Sequence, residues 1–458
     1  MDLHNQHASR LRLVTSQTQW AVGQGFFHSG TLGLTLGGAK ATIGDPVNVA
    51  ASYVYDCGTV NGQWLIDREL AEFTRRQPAE AGQARRVDLA FISHFDHDHV
   101  SGIERLHDRV RPRRYVIPMV PATERLYLAA RFLVENQSVA LPDAYASLLE
   151  DPRSWFGGLP GGAEVTEVLP IPDFDPENPL AGPLENVVPD VSAEAPLRAR
   201  FIGPGRVASG LAIGGVDALV DDEWRVGREG TLRTVWIWVT YVLPAGRAHL
   251  DAFTHTLSAS IPGFDPSTLS DPGVLRHLVA HHWGALRDAY PSGSGARNVT
   301  SLCLYSGPPP GRAGSRWGRR EEGVDRRSAV GPQFARAGWL GAGDADLRGA
   351  DQAGEFLDAF RSVLPHVGTF AVPHHGAESS WSGTLLDAFS GPETKQPVCL
   401  VGAQPGFHGW SHPSLAVMAS VADHGGHLVV VTGSPAARWT IVASSPRLPR
   451  VRRRLVSP

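Results

Sequence analysis

Cysteine is sparse in this sequence: Cys57, Cys303 and Cys399, none of them in a CxxC pair. An odd, scattered set argues against a disulfide framework and fits a reducing cytosol. Lysine is scarcer still, occurring only at Lys40 and Lys395, so the basic charge is almost all arginine. Arginine suits phosphate and carboxylate binding, but a chain-wide bias of this kind reads first as genomic composition. No long apolar run is present. The most apolar stretch, Val235 to Leu243, is about half of the roughly 20 residues that a membrane helix needs. Met1 to Trp20 is polar and lacks the apolar centre of a signal peptide. A soluble, cytoplasmic protein with no membrane partner is the expectation. The net charge of −4 gives no global pull towards nucleic acid.

What the chain does have is apolar mass and punctuation. Its 458 residues are 42% hydrophobic and 19% charged, enough for a sizeable core in one large domain or two to three ordinary ones. With 50 Gly and 35 Pro, many loops are expected. No repeat of fixed period is visible.

One stretch is chemically dense. The apolar run Val87 to Ile92 reads as a short buried strand. It leads into Ser93-His94-Phe95-Asp96-His97-Asp98-His99-Val100-Ser101-Gly102. Packing does not ask for three histidines and two aspartates in the six residues from His94 to His99. Imidazoles and carboxylates at a strand end can converge on a divalent metal. His97 has no role in such a set, and strand-like alternation would point it away.

Around this stretch, strands and helices alternate. Strands are expected near 11–22, 26–36, 49–55, 115–118, 232–243, 339–342, 370–373, 398–401 and 427–432. Helices are expected at 64–75, 103–110, 124–135, 275–288, 354–363, 383–389 and 415–423. Asp56, at the end of a strand before Gly58, is either an anchor for a neighbouring loop or an ordinary turn residue. His277 and His281 stand at i, i+4 on a helix, a spacing able to hold metal, although such pairs are more commonly plain surface or core histidines. Residues 137–296 are rich in Pro, Gly, Asp and Glu and read as an insertion, partly loop. Residues 306–337, with Arg312, Arg316, Arg319, Arg320, Arg326 and Arg327, read as a basic mobile loop, and 446–458 as an Arg-rich tail.

Three later residues repeat the layout of His94. Asp344, His374 and His412 each follow a short apolar strand. Strand ends along one sheet edge bring distant sequence together. His94, Asp96, Asp98, His99, Asp344, His374 and His412 are enough ligands for two metal ions, with Asp344 as the bridging carboxylate. Two such ions suit hydrolysis.

These residues resemble the metallo-β-lactamase superfamily. They are most similar to the metallo-β-lactamase-like domain of DNA-internalisation competence proteins of the ComEC type. The resemblance rests on Val22-Gly23-Gln24-Gly25, Asp56-Cys57-Gly58, Ser93 to Gly102 with Asp96 in place of a second His, and Asn298 to Leu302. It continues through Gly343-Asp344 and Val372 to Gly376, with a looser match at Gly409 to Pro413. It implies an α/β fold, a four-layer αβ/βα sandwich, spanning 10–445 with the 137–296 insertion inside it. The membrane channel of those proteins has no counterpart here. One ion would take His94, Asp96 and Asp344, with Asn298 standing where a third His is usual. The other would take Asp98, His99, Asp344 and one late His. Such an oxygen-rich set puts Mn2+ close behind Zn2+. Asp98, His375 and His412 are the candidate catalytic residues. His375 and His412 would contact phosphate or protonate the leaving oxygen, and ligand and acid are not separated among His374, His375 and His412.

The expected function is a two-metal phosphodiesterase or nuclease acting on DNA, gated by a regulatory partner or by cleavage of the 306–337 loop. Hydrolysis of a lactone, an ester or a nucleotide phosphodiester is the alternative, because a fold does not decide substrate. A non-catalytic binding module is the third reading, disfavoured by the complete ligand set.

Overall fold

The computed structural model describes residues 11–36, 49–77, 87–170, 198–202, 222–227, 233–271, 273–291, 299–310, 317–322, 333–389, 396–409 and 411–445. Asn298, Arg312, Arg316, Arg326, Arg327 and the 446–458 tail lie outside them.

The strands are β1 (Leu11–Gln19), β2 (Phe27–Leu36), β3 (Val49–Cys57), β4 (Leu89–Phe91), β5 (Arg114–Pro118), β6 (Glu164–Val168), β7 (Arg198–Ile202), β8 (Asp222–Gly227) and β9 (Arg233–Leu243). They continue with β10 (Ser301–Gly307), β11 (Trp317–Glu322), β12 (Gln333–Ala335), β13 (Gly338–Gly341), β14 (Val367–Ala371), β15 (Val398–Gly402), β16 (His427–Val431) and β17 (Trp439–Ser444). The helices are α1 (Gln63–Arg76), α2 (His97–Val100), α3 (Ile103–Val110), α4 (Ala122–Glu135), α5 (Asp143–Glu150), α6 (Pro152–Gly157), α7 (Arg247–Ser260), α8 (Val274–Ala289), α9 (Ala350–Phe360) and α10 (Leu415–Asp423).

Two mixed sheets result, with strand orders β12-β11-β17-β1-β2-β3-β4-β5-β6 and β16-β15-β14-β13-β10-β9-β8-β7. The side-chain alternation of β9 shows how they pack. Trp236 and Trp238 enter a core shared with Tyr53, Tyr55, Phe91 and Trp339, from both sheets. Ile237, Val239, Tyr241 and Leu243 face the opposite way, towards Phe356 and Phe360 of α9. A strand covered on both faces has no polar side, so it reads as one continuous apolar run. On the far side of the first sheet, α1, α3, α4, α7 and α8 bury their apolar faces in a second core with Val54, Ala90 and Ile117. The order is helices, sheet, sheet, helices: the four-layer αβ/βα sandwich expected from the sequence. Each buried tryptophan in the middle layer withdraws about 150–250 Å² from water, roughly 4–6 kcal/mol at 25 cal/mol per Å².

The ligand-bearing ends follow from strand direction. β3, β4, β5 and β6 are mutually parallel, as are β13, β14, β15 and β16. Their carboxyl ends release Asp56, the 93–102 loop, Asp344, His374 and the 403–414 loop.

Two loop expectations need correcting. The described part of 137–296 is built into the sandwich. β6 pairs with β5, β9 pairs with β10 (Leu302 opposite Val242), and α7 and α8 join the helical layer over α4. The strand at 232–243 and the helix at 275–288 are legible in the sequence, whereas β6 and α7 are hidden among Pro- and Gly-rich connections. Within 306–337, β11 and β12 are strands, with β11 paired to β17 and anchored where Trp317 meets Trp236 edge-on at 5.9 Å. The helix expected at 383–389 is two short 3-10 turns, 383–385 and 387–389.

Candidate metal centre

At the end of β3 the chain turns sharply at Asp56, which has a left-handed φ of 56°. Its carboxylate accepts hydrogen bonds from Ser93 N (2.7 Å) and Ser93 Oγ (2.6 Å), and meets His99 Nδ1 at 2.8 Å. Asp56 is therefore an anchor, and what it anchors is the His-rich loop. Two glycines let neighbouring backbone come close. A Cβ on Gly25 would lie 2.8 Å from Asp98 O, and one on Gly343, with φ +56°, would lie 2.8 Å from Ser93 Cβ.

Four imidazoles are held in one sense. His94 Nδ1 meets Ser93 Oγ at 2.8 Å, His99 Nδ1 meets Asp56, His374 Nδ1 meets Ser380 Oγ at 2.9 Å, and His375 Nδ1 donates to Gly402 O at 2.7 Å. With Nδ1 engaged, each ring turns Nε2 towards two carboxylates. Asp344 Oδ2 is 3.6 Å from Nε2 of both His94 and His374, and its Oδ1 is 3.3 Å from His99 Nε2. Asp98 Oδ2 is 3.0 Å from His375 Nε2 and 4.0 Å from His99 Nε2. Partners on Nδ1 that leave Nε2 free inward are the arrangement that orients histidine ligands at metal sites. His374 and His375 lie at φ 48° and 54°, a conformation that non-glycine residues rarely hold without a functional or packing reason.

The donor set fits a divalent cation. His94 Nε2 and Asp344 Oδ1 are buried with no hydrogen-bond partner among the described residues, a costly state unless something else engages them. The ligand atoms of His94, His99 and Asp344 lie within 4.8 Å of one another, as do those of Asp98, His99 and His375. His99 offers one inward nitrogen, so it can serve one ion only. Burial keeps His374 neutral, its pKa pushed down to about 3. Burial likewise pushes the Asp344 carboxyl up, but His374, His94 and His99 around it hold it well below the carboxylate range. Burial opposes the His375 imidazolium, yet its bond to Asp98 and the nearby Asp344 raise it.

The remaining expected residues surround the same space. Asp96 Oδ2 lies 3.4 Å from His94 Nε2, but the same oxygen is bound by Arg131 Nη1. His412 lines the cavity, its Nδ1 3.4 Å from the Gln24 amide nitrogen, with its ring 5.9 Å from that of His374. His97 departs from the alternation argument. The 97–100 segment is a helical turn rather than extended chain, and His97 lines the cavity mouth against Phe132 (5.2 Å) and Tyr145 (5.6 Å). The cavity measures about 40 Å3, far below the several hundred Å3 that enclose a whole small molecule. A substrate would insert its reacting group and leave its bulk outside. His277 and His281, with rings 4.6 Å apart on exposed α8, take no part in this site.

Arg131 and Glu124 are not distinguished by the sequence, and Gln24 stands out there only as part of the Val22–Gly25 turn. Glu124 is buried on α4 and accepts from Thr300 N (2.6 Å) and Thr300 Oγ1 (2.7 Å), pinning the entry to β10. Burial pushes its pKa up to about 7, against the lowering effect of the Thr300 bonds. The unfolded chain ionises this carboxyl near pH 4.3. The stability it contributes is complete below that pH and is lost as pH rises through 7. In metal-free protein, Glu124→Gln is therefore expected to be neutral at pH 4 and to gain up to ~3 kcal/mol at pH 8. Urea unfolding at the two pH values checks this, and a pH-independent difference would refute it.

No family model and no curated protein matches the chain. Among solved structures, it is similar to the metallo-β-lactamase fold protein YhfI from Bacillus subtilis, at 9% identity and a TM-score of 0.16, covering 48% of this chain and 62% of that one. It is also similar to MEM-A1, a subclass B3 metallo-β-lactamase from a soil metagenome library, at 14% identity and a TM-score of 0.14, covering 47% of this chain and 60% of that one. The metallo-β-lactamase SMB-1, bound to 2-mercaptoethanesulfonate, matches at 14% identity and a TM-score of 0.14, covering 47% of this chain and 62% of that one. The matched span is under two thirds of each of those chains. At these TM-scores the likeness is partial, and the convergence of His94, His99, His374 and His375 on Asp344 and Asp98 stands on its own geometry.

Proposed function

We propose that this chain is a metal-dependent hydrolase of phosphodiester bonds, with DNA as its substrate. The observation that carries the proposal is the set of four histidines, each engaged at Nδ1 and each turning Nε2 onto Asp344 or Asp98. His94, His374 and Asp344, with Asp96 if it turns inward, would hold one divalent ion, and Asp98, His99 and His375 the other, Asp344 lying between. Bound there, Zn2+ or Mn2+ would supply a hydroxide nucleophile at neutral pH and stabilise the attacking and leaving oxygens. The chain's own residues do the rest. Asp56 and Ser93 fix the His99 ring, Gly402 O fixes His375, and the narrow cavity excludes bulk water from the reacting group. His412, oriented by the Gln24 amide and with its ring 5.9 Å from that of His374, is the imidazole placed for the leaving oxygen.

Phosphodiester chemistry is favoured over neutral esters by the cavity's buried Arg131, the one Arg or Lys among the described residues lining it. The basic 306–337 stretch keeps its proposed gating role, by a protein partner or by scission. The test is cleavage of linear, circular and single-stranded DNA and of RNA with Mn2+, Mg2+ and Zn2+, with Asp98→Ala and Asp344→Ala as controls. DNA cleavage abolished in both variants is the expected result. No cleavage under any metal, with turnover of chromogenic lactones or esters, would move the assignment to a small-substrate hydrolase. A chain that retains no divalent metal would be a binding module.

A further inference from the structure

Among the described residues lining the cavity, Arg131 is the one Arg or Lys. It projects from α4, and its side chain is only 9% exposed. One edge of the guanidinium binds Asp96 Oδ2, and Nε donates to Glu135 Oε1 at 3.1 Å. The Asp96 oxygen is the point of conflict. It also lies 3.4 Å from His94 Nε2, the buried nitrogen without a hydrogen-bond partner among the described residues. A cation held by His94 and Asp344 would claim that same oxygen. The guanidinium and the metal ion then compete for one carboxylate, and their like charges repel. A buried guanidinium that gives up its carboxylate must find another anion or bear an uncompensated charge. Glu135 still holds Nε, so the freed edge stays at the cavity wall, beside the space where a reacting group would enter. The planar fork of arginine matches two oxygens of a phosphate.

We propose that Arg131 has two successive partners: Asp96 in the metal-free chain, and an anionic oxygen of the substrate once Asp96 has turned to a metal ion. Arg131 thereby makes the second ion bind more weakly and makes the loaded site selective for anionic substrates. This inference deepens the proposed function and rests on its metal sites, but its test needs no turnover.

The experiment uses the full chain, with Arg131→Gln and Arg131→Lys compared by circular dichroism to verify folding. Mn2+ binding is measured by equilibrium dialysis, and binding of inorganic phosphate to the Mn2+-loaded chain by calorimetry. Arg131→Gln is expected to bind the weaker Mn2+ about tenfold more tightly and phosphate about 10- to 100-fold more weakly, the effect of losing one charged hydrogen-bonding pair. Arg131→Lys keeps the charge without the fork, so its Mn2+ affinity stays within about twofold of the parent while phosphate binding still weakens. If Arg131 merely orients Asp96 as a ligand, Arg131→Gln will instead lose about 10- to 100-fold in Mn2+ affinity, as outer partners of ligands do. That result, or unchanged phosphate binding in Arg131→Gln, overturns the proposal. If both binding results hold and no diester is cut, the phosphodiesterase reading fails and the anion site remains.

Discussion

Asp344→Ala is expected to lower the hydrolytic rate at least about a thousandfold, because stabilisation of transition-state charge by bound metal is worth several kcal/mol. Asp344 is the shared centre of the site. Its two oxygens lie 3.3–3.6 Å from inward nitrogens of His94 and His99, from the loop after β4, and of His374, from the end of β14. Neither nearby carboxylate occupies that centre: Asp96 lies beside His94 alone and is bound by Arg131 in the metal-free chain, and Asp98 faces His375. Metal content of the purified variant should fall by at least one ion. The fold should survive, because Asp344 is a loop residue whose removal relieves a buried charge. A variant that keeps both ions, measured by elemental analysis, would refute the central placement of Asp344, whatever its activity.

Asp56→Asn is the second large effect, and it acts without touching a reacting atom. The Asp56 carboxylate accepts from Ser93 N and Ser93 Oγ and holds His99 Nδ1. An aspartate there requires the proton on His99 Nδ1, so Nε2, which faces Asp344, is the nitrogen whose lone pair is available to a bound ion. Asparagine has the same shape, but its NH2 group donates. If the amide oxygen keeps Ser93 N, the NH2 group faces His99 Nδ1 and favours the tautomer with its proton on Nε2. The inward lone pair is then lost. Metal affinity should fall about 10- to 100-fold, with a stability loss of roughly 1–3 kcal/mol from the weakened buried network. Nitrogen-15 chemical shifts of the His99 ring report the tautomer directly. An unchanged tautomer with unchanged affinity would show that Asp56 only anchors backbone.

The two substitutions also mark how legible the site was. His94, Asp96, Asp98 and His99 stand out in the sequence because six consecutive residues carry chemistry that no packing need explains. Asp344, His374 and His412 could be attached to them because each follows a short apolar strand, His412 at the far end of the loop after β15. The helix at 415–423 was readable to the residue, because its start is set locally by Ser414, whose side chain accepts from Val417 N. Asp56 was readable only as a choice between anchor and turn, since its partners lie 37 and 43 residues away.

Other features were out of reach for physical reasons. Arg131 sits in an ordinary amphipathic helix, Ala122–Glu135, and nothing in its spacing distinguishes it from Arg125. Only the packing of α4 over the carboxyl end of β4 puts one of these arginines against Asp96. His97 stays out of both ligand groups as expected, but for a different reason than alternation: the 97–100 turn is helical and packs its ring on Phe132 and Tyr145. The β11 and β12 strands were hidden in an Arg-rich stretch, since edge strands can be polar and depend on a partner, here β17, distant in sequence. The sequence by itself determined which candidate ligands cluster, that they follow apolar strands, and the alternation of strands and helices, because these depend on local composition and periodicity. The tertiary structure alone decided which nitrogen of each histidine faces inward, which carboxylate is central and which cation competes for Asp96. Those are contacts between segments tens to hundreds of residues apart, and only the closed sandwich brings them within hydrogen-bonding range.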